Sequence, residues 1–286
     1  MKKEYIYAAI SILLWSTTAT VIKLLLNSLN SMQILAISSF FAFLVLFIYN
    51  IIKNNLKDLK TYRIKDYIQI AIIGIFGTFL YNLFLYLGTN KLLASQAFII
   101  NYLWPIMTVL FACIILKEKV TIRKIIAILL SFIGVIIVTA DGNLLNINNN
   151  TIIGAIFCIL AAISYGLFSV LNKYKNYNKF TSMMLYYFVS FIISLIYLVI
   201  SKELKNIEFN IGLLWTGIFT SAIAFTSWAL ALEKGDTVKI SNLAYITPFL
   251  SLVWTSLILK EAFSIYSIIG LVIIVLGIFI QMKDKK

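Results

Sequence analysis

The sequence predicts an all-α integral membrane protein in which ten transmembrane helices form two inverted five-helix repeats around a central cavity. Composition and an internal repeat lead to this fold class. Hydrophobic residues make up 62% of the 286 residues and charged residues 12%, against roughly 45–50% and 25% in soluble domains. In addition, Asn101–Thr139 aligns without gaps with Ala244–Met282, at an offset of 244 − 101 = 143 residues.

Apolar runs of about twenty residues, each long enough to cross a bilayer core as a helix, recur along the chain. They cover 5–26, 32–52, 67–88, 93–116, 122–140, 152–171, 181–201, 210–232, 238–259 and 264–282. The longest linkers, 53–66 and 141–151, are too short to fold alone. We therefore divide the chain into a first five-helix repeat (1–140), an outer linker (141–151) and a second five-helix repeat (152–286).

The repeat is carried by residues that are rare elsewhere in the sequence. Pro105 and Pro248 are the only two prolines, and they align at the 143-residue offset, as do Lys117-Glu118 and Lys260-Glu261. Five spans per half is an odd number, so the second half must enter the membrane from the opposite side. Inverted repeats with corresponding helix breaks are typical of alternating access around a site near mid-membrane.

The distribution of the +13 net charge predicts an orientation. If the N-terminus is inside, 19 of the 24 Lys and Arg residues fall on the inner side and five on the outer side. This is the positive-inside asymmetry, and it places both termini in the cytoplasm. The basic residues sit between spans and form no long polar face, which argues against a nucleic-acid partner. The expected partners are a small solute and the lipid bilayer, in a monomer or a homodimer.

The fourth span contains the sharpest candidate site, Asn101-Tyr102-Leu103-Trp104-Pro105. Proline has no N–H, so the carbonyl of Asn101 loses its helical partner and the ring pushes the helix off its axis. Asn101, Trp104 and Pro105 share one helical face. A freed carbonyl, an amide and an indole N–H are therefore predicted to converge near mid-membrane.

Polar and aromatic residues in other spans extend this candidate site. Asn82 belongs to a polar stripe, and an amide in hydrocarbon must find a partner or face a water-filled cavity; the alternative for Asn82 is contact between helices. Trp15 and Trp228 fall near span centres, unlike the tryptophans and tyrosines of interfacial belts. In the ninth span, Tyr245 and Pro248 repeat the proline helix. Lys23 either serves the site or extends to the headgroups.

The acidic residues lie away from the centres of the spans. All eleven Asp and Glu residues are in linkers or at span ends, and the chain has no histidine. Intramembrane proton relays commonly use Asp, Glu or His, so none is expected, and neutral or zwitterionic solutes fit better than cations. Without a metal cluster, a nucleotide loop or a nucleophile–base pair, we expect no enzyme, no catalytic residues, no metal and no cofactor.

Several of these segments resemble a known family. Residues 13–23 (LLWSTTATVIK) and 231–261 (ALEKGDTVKISNLAYITPFLSLVWTSLILKE) look like the drug/metabolite transporter superfamily, EamA type. Leu14-Trp15-Ser16-Thr17 and the fourth-span motif resemble the aromatic amino-acid exporters of the YddG type. The resemblance implies export of amino acids or related metabolites across a bacterial inner membrane. The cavity would then be lined by Trp15, Ser16, Tyr102, Trp104 and Tyr245.

Two other functions remain open at this point. The chain could carry another metabolite or a lipid-linked intermediate, because the polar and aromatic residues do not define one solute. A membrane scaffold without transport is a more distant alternative, since packing needs neither paired prolines nor polar stripes.

Overall fold

The computed structural model describes residues 3–117, 121–142, 148–174, 177–204, 207–234, 243–244, 246–262 and 264–282. All regular secondary structure in these ranges is helical. The helices form ten spans: Lys3–Leu25, Ser31–Ile52, Ile64–Lys91, Ala94–Ile115, Ile122–Ala140, Asn149–Tyr174, Lys179–Ile200, Ile211–Ala231, Ile246–Leu259 and Ile265–Met282.

The predicted all-α membrane fold is confirmed. The first eight spans are long and apolar enough to cross a membrane, and the last two are shorter apolar helices. Large apolar side chains such as Leu129, Ile136 and Leu257 are more than half exposed. In a bilayer such side chains face lipid, whose tails are as apolar as they are.

Spans 5 and 10 show that the second half runs opposite to the first. A Cβ added to Gly134 would lie 2.7 Å from the carbonyl oxygen of Gly270, and one added to Gly277 would lie 2.9 Å from that of Ala127. As the residue number rises along span 5 it falls along span 10, so the two helices are antiparallel. Gly134 and Gly277 are also equivalent in the repeat, as are Ala127 and Gly270, so the two contacts are related by a pseudo-two-fold axis.

Spans 2 and 7 pair in the same antiparallel manner. Ser39 Oγ donates to Ser190 Oγ (3.1 Å), while Asn50 near the end of span 2 donates to the carbonyl of Phe180 near the start of span 7 (3.1 Å). Asn30 and Asn178 begin the two helices, each with its side-chain oxygen accepting from backbone N–H groups of the first turn. The two halves therefore use the same start signals.

Spans 3 and 8 each contain a π-helical segment. These segments, Ile75–Leu80 and Trp215–Ile223, overlap when one repeat is placed on the other. Beside them, Gly74 packs on the backbone of Tyr186 in span 7, and its equivalent Gly217 packs on the carbonyl of Ser38 in span 2. An inserted π turn shifts the register of the side chains that follow and often occurs at functional sites.

Two further breaks interrupt spans 1 and 4. Span 1 changes from one helix to the next at Thr17. Span 4 is divided at Tyr102 and Leu103, between Ala94–Asn101 and Trp104–Ile115. The second break lies directly before Pro105, as the missing N–H predicts. The first was not anticipated from the sequence.

The two ends of the bundle are distinguished by the chain termini. The terminal end holds Lys3 and Met282, and the distal end holds the segment from Lys91 to Ala94, where span 3 turns into span 4. At the terminal end, Tyr177 donates to a carboxyl oxygen of Asp66 (3.1 Å). Burial, followed by the bond to Asp66, raises the pKa of Tyr177 to about 12. The phenol therefore stays protonated and joins the linker after span 6 to the start of span 3.

Candidate functional site

A cavity lies where the breaks and the π segments meet. It has a volume of about 660 Å³, a figure that includes the part open to solvent. The lining residues come from spans 1, 3, 4, 6, 8 and 9: Trp15, Thr18, Tyr81, Asn82, Leu85, Tyr86, Phe98, Asn101, Tyr102, Trp104, Tyr165, Thr220, Ser221, Phe225, Ala244 and Thr247.

The proline helix of span 4 forms one wall of this cavity. The amide nitrogen of Asn101 donates to the hydroxyl of Tyr81 (3.2 Å), and the hydroxyl of Tyr102 donates to the carbonyl of Ala244 (2.8 Å). The second bond joins span 4 to span 9. Asn101 is 3% exposed, so its amide is held in place by protein and not by bulk water.

Aromatic rings form most of the remaining wall. The ring centroid of Tyr165 lies 4.8 Å from that of Tyr81 and 5.1 Å from that of Trp104. On the other side, the rings of Trp15 and Phe225 are 5.1 Å apart in an edge-to-face arrangement. Such pairs are mutually favourable and limit the motion of each ring. The rings therefore form a stiff surface on which a flat apolar group could stack.

Three lining residues also carry buried polar atoms that lack a hydrogen-bond partner among the described residues. They are Thr18 Oγ1, Asn101 Oδ1 and Thr247 Oγ1, contributed by spans 1, 4 and 9. Leaving a buried polar atom unpaired costs roughly 1–3 kcal/mol. Atoms of this kind in a cavity wall are suited to a polar group of a bound molecule or to water.

The lining has no formal charge. None of the sixteen residues above is Asp, Glu, Lys, Arg or His, and no group of three or more metal-ligating side chains occurs in the described part of the chain. The sixteen described lining residues offer stacking, apolar contact and neutral hydrogen bonding.

Five of the eight residues proposed from the sequence for the cavity line it: Trp15, Asn82, Asn101, Tyr102 and Trp104. The side-chain nitrogen of Asn82 donates to the carbonyl of Thr78 in its own helix (2.7 Å). Asn82 therefore lines the cavity, and among the described residues it makes no hydrogen bond to another helix.

Ser16 and Trp228 lie behind the wall and do not line the cavity. Ser16 is fully buried, donates to the carbonyl of Leu13 (2.8 Å) and accepts from the indole of Trp254 (3.0 Å). Trp228 packs against Trp15, with ring centroids 5.4 Å apart. Both residues fix the position of span 1 next to the cavity.

Tyr245 lies outside the described residues, although its neighbours Ala244 and Thr247 line the cavity. Pro105 and Pro248 are both buried at the start of helical segments, Trp104–Ile115 and Ile246–Leu259. The lining residues Trp104 and Thr247 directly precede these prolines. Each proline therefore lies next to one wall residue of its own half.

Tyr165, Phe225 and Thr247 line the cavity but were not predicted from the sequence, although the repeat itself could have identified them. Phe225 is 143 residues after Asn82, and Thr247 is 143 residues after Trp104. Tyr165 occupies the place in span 6 that Trp15 has in span 1. A pseudo-two-fold axis relates wall positions of one half to wall positions of the other. The repeat equivalents of predicted cavity residues are therefore candidates for the wall as well.

The fold and the cavity define a polytopic helical membrane protein with a duplicated scaffold around an internal cavity. Residues 2–140 and 152–282 each match the model of the EamA-like transporter family. Together the two matches cover nearly all of the chain, which therefore belongs to that family of transporters.

Individual proteins agree with this assignment. An uncharacterized transporter of Clostridium kluyveri is 27% identical over 300 residues, covering 100% of this chain and 95% of the relative. An uncharacterized transporter of Archaeoglobus fulgidus is 23% identical over 289 residues, covering 99% and 100%. A solved crystal structure matches with a TM-score of 0.69 at 18% identity, covering 97% of this chain and 96% of that chain. The last likeness shows the fold alone.

Proposed function

We propose that the protein exports small neutral or zwitterionic metabolites, with amino acids as the first class to test and aromatic ones among them. The observation that carries this proposal is the uncharged cavity lined by aromatic rings and by unpartnered buried oxygens. A cationic solute would need a buried anion in the wall, and none lines the cavity in the described part of the chain.

The wall chemistry suits the parts of an amino acid. The oxygen of Asn101 and the hydroxyls of Thr18 and Thr247 can accept from an ammonium group, which has three N–H donors. The indole N–H of Trp104 and the same hydroxyls can donate to a carboxylate. The rings of Trp104, Tyr165 and Phe225 can stack on a flat side chain.

The inverted repeats support a mechanism of alternating access. Two halves with nearly equivalent backbones can exchange their conformations, so that the cavity opens first to one end and then to the other. We propose that the terminal end is cytoplasmic, because the basic residues concentrate in the linkers on that side. In a bacterium this places the protein in the inner membrane, with solute leaving through the distal end.

Exchange in proteoliposomes tests the proposal directly. Purified protein is reconstituted with internal unlabelled amino acids, and uptake of labelled phenylalanine or threonine is measured. We expect uptake that saturates, that requires internal substrate, and that other neutral amino acids inhibit.

Two controls make the result decisive. Protein-free liposomes measure leakage, and the Asn101→Leu variant measures flux through a cavity that has lost its amide. Robust flux of a cationic dye together with no uptake of any amino acid would show that the substrate class is wrong. Inhibition only by unrelated metabolites would indicate the other transporter alternative.

A further inference from the structure

A carboxylate outside the predicted site joins two spans at the distal end of the bundle. Glu261 follows span 9, and one of its side-chain oxygens accepts from the backbone N–H of Ala94 (2.8 Å). The other accepts from the backbone N–H and the hydroxyl of Ser95 (3.0 and 2.7 Å). Ala94 and Ser95 begin span 4, so these three bonds join span 9 to span 4.

Several features strengthen these three contacts. A helix N-terminus has unpaired N–H groups and a partial positive charge, so a carboxylate is stabilised there. Hydrogen bonds to an ionised acceptor are also stronger than neutral ones. Ala94 is fully buried and Ser95 nearly so, and therefore water competes poorly for the donors that Glu261 satisfies.

Lys23 extends the same cluster to spans 1 and 3. Its ammonium group donates to the carbonyl of Thr89 (2.8 Å) and to that of Leu92, at the end of span 3. It also lies close enough to Glu261 for electrostatic attraction. Lys23 thus binds buried backbone carbonyls at the end of span 3, while Glu261 binds buried backbone N–H groups at the start of span 4. Neither of the sequence alternatives for Lys23, the site or the headgroups, describes this role.

The cluster lies directly beyond the cavity wall. Lys23 is five residues after the lining residue Thr18, and Ser95 is three residues before the lining residue Phe98. At 1.5 Å per helical residue these steps are about 4–8 Å towards the distal end. Spans 1, 3, 4 and 9 all line the cavity, so these contacts link the distal ends of four lining spans.

From this geometry we propose that Glu261, with Ser95 and Lys23, is the latch of the distal gate. In the closed state the carboxylate caps span 4, and in the open state span 9 carries Glu261 away from Ala94 and Ser95. The role of the latch in transport rests on the proposed alternating access. The latch itself can be tested without any solute. Glu261 is thus a positioning residue that sets the balance between two conformations.

Distance measurements between spin labels test the latch. In a background with Cys113 and Cys158 changed to alanine, cysteines replace two exposed residues, Asn90 at the end of span 3 and Ala262 directly after the latch. Double electron–electron resonance then gives the distance distribution in nanodiscs. Glu261→Gln keeps the size of the side chain but presents an amide to N–H donors, and should raise the ratio of long to short distances about tenfold.

Glu203→Gln is the matched control. Glu203 also lies at the distal end, where it accepts from the amide of Asn30 (2.9 Å), but it joins spans 2 and 7 and is away from the cavity. This variant should leave the distances between the labels unchanged. An unchanged distribution in Glu261→Gln, or an equal shift in both variants, would overturn the latch.

Ser95→Ala is a milder second test. It removes one of the three bonds and should raise the same ratio about threefold. If Glu261→Gln cannot be purified as a folded protein, Ser95→Ala decides alone, and an unchanged distribution refutes the proposal. Because no solute is present, failure of the latch leaves the transport proposal intact, and a failed transport assay leaves the latch measurement valid.

Discussion

Asn82 and Phe225 occupy equivalent positions of the two repeats and both line the cavity, yet one carries an amide and the other a phenyl ring. The same contrast recurs on the proline helices. Asn101 and Trp104 of the first half correspond to Ala244 and Thr247 of the second. Both backbones contain a π segment at overlapping positions, whereas the side chains that face the cavity differ.

This contrast separates the scaffold from the site. Packing positions such as Gly134 and Gly277 are kept in both halves, because close approach of two helices requires a small residue at each. Wall positions have diverged, since a solute without two-fold symmetry is better bound by different groups on its two sides. Substitutions at equivalent scaffold positions should therefore have similar effects in the two halves. Substitutions at equivalent wall positions should have different effects.

The largest expected effect is an all-or-none difference in cysteine labelling, which tests the inversion of the second half. Lys53 and Ser201 follow spans 2 and 7, are both exposed, and occupy equivalent positions. In a background without Cys113 and Cys158, Ser201→Cys should react with an impermeant maleimide added to intact cells. Lys53→Cys should react only after permeabilisation. Labelling of both from the same side would contradict the inverted arrangement.

A loss of transport is expected when the first proline helix loses its amide. Asn101→Leu removes both the cavity-facing oxygen and the donor to Tyr81, so exchange of labelled phenylalanine should be abolished. The amount of protein in the membrane should be unchanged. The swap Asn101→Ala with Ala244→Asn tests the asymmetry, and we expect no recovery from it. Normal flux in Asn101→Leu would mean that the amide is not needed, and normal flux in the swap would mean that the two proline helices are interchangeable.

A smaller reduction is expected from the aromatic wall. Trp104→Ala removes the ring that packs on Tyr165, and the KM for an aromatic substrate should rise about tenfold. The effect on threonine should be weaker, because threonine has no ring to stack. Tyr197→Ala is a suitable control, since Tyr197 is nearly half exposed on span 7 and does not line the cavity. Equal losses for phenylalanine and threonine would argue against stacking.

The smallest effect is expected on stability, and here the two halves should agree. A Cβ at Gly134 would lie 2.6 Å from the Cγ1 of Ile274, and one at Gly277 would lie 3.0 Å from the hydroxyl of Ser131. Overpacking of this kind costs about 1–3 kcal/mol. Both Gly→Ala variants should therefore melt a few degrees lower in detergent, with Gly134→Ala the more affected. Ile136→Ala, on an exposed face, is the control.

Much of the architecture could be read from the sequence because the bilayer imposes strong one-dimensional rules. Twenty apolar residues are needed for a span, and these runs located all ten helices to within a few residues at most ends. The 143-residue offset and the odd number of spans per half predicted the inversion. The break in span 4 could be predicted from Pro105, because the loss of one backbone N–H acts locally.

What the sequence could not decide depended on contacts between residues far apart in the chain. The break at Thr17 is held by the indole of Trp215, which donates to the Thr17 hydroxyl (2.9 Å) from 198 residues away. Ser16 was expected in the wall from the family resemblance and Trp228 from its depth in the span, but neither gives the direction in which a side chain points. Only packing set that direction, because π segments and breaks shift the helical register.

Glu261 illustrates the same limit at the end of a span. In the sequence it is one of eleven carboxylates outside the span centres, and its Lys-Glu pair marks only the repeat. The tertiary structure brings its carboxylate to the start of span 4, 166 residues away from Ser95 along the chain. The sequence by itself determined the helices, their number and their inversion, because those follow from local hydrophobicity and chain parity. The cavity wall and the latch were decided by tertiary structure, because they require oriented groups from several helices at one point.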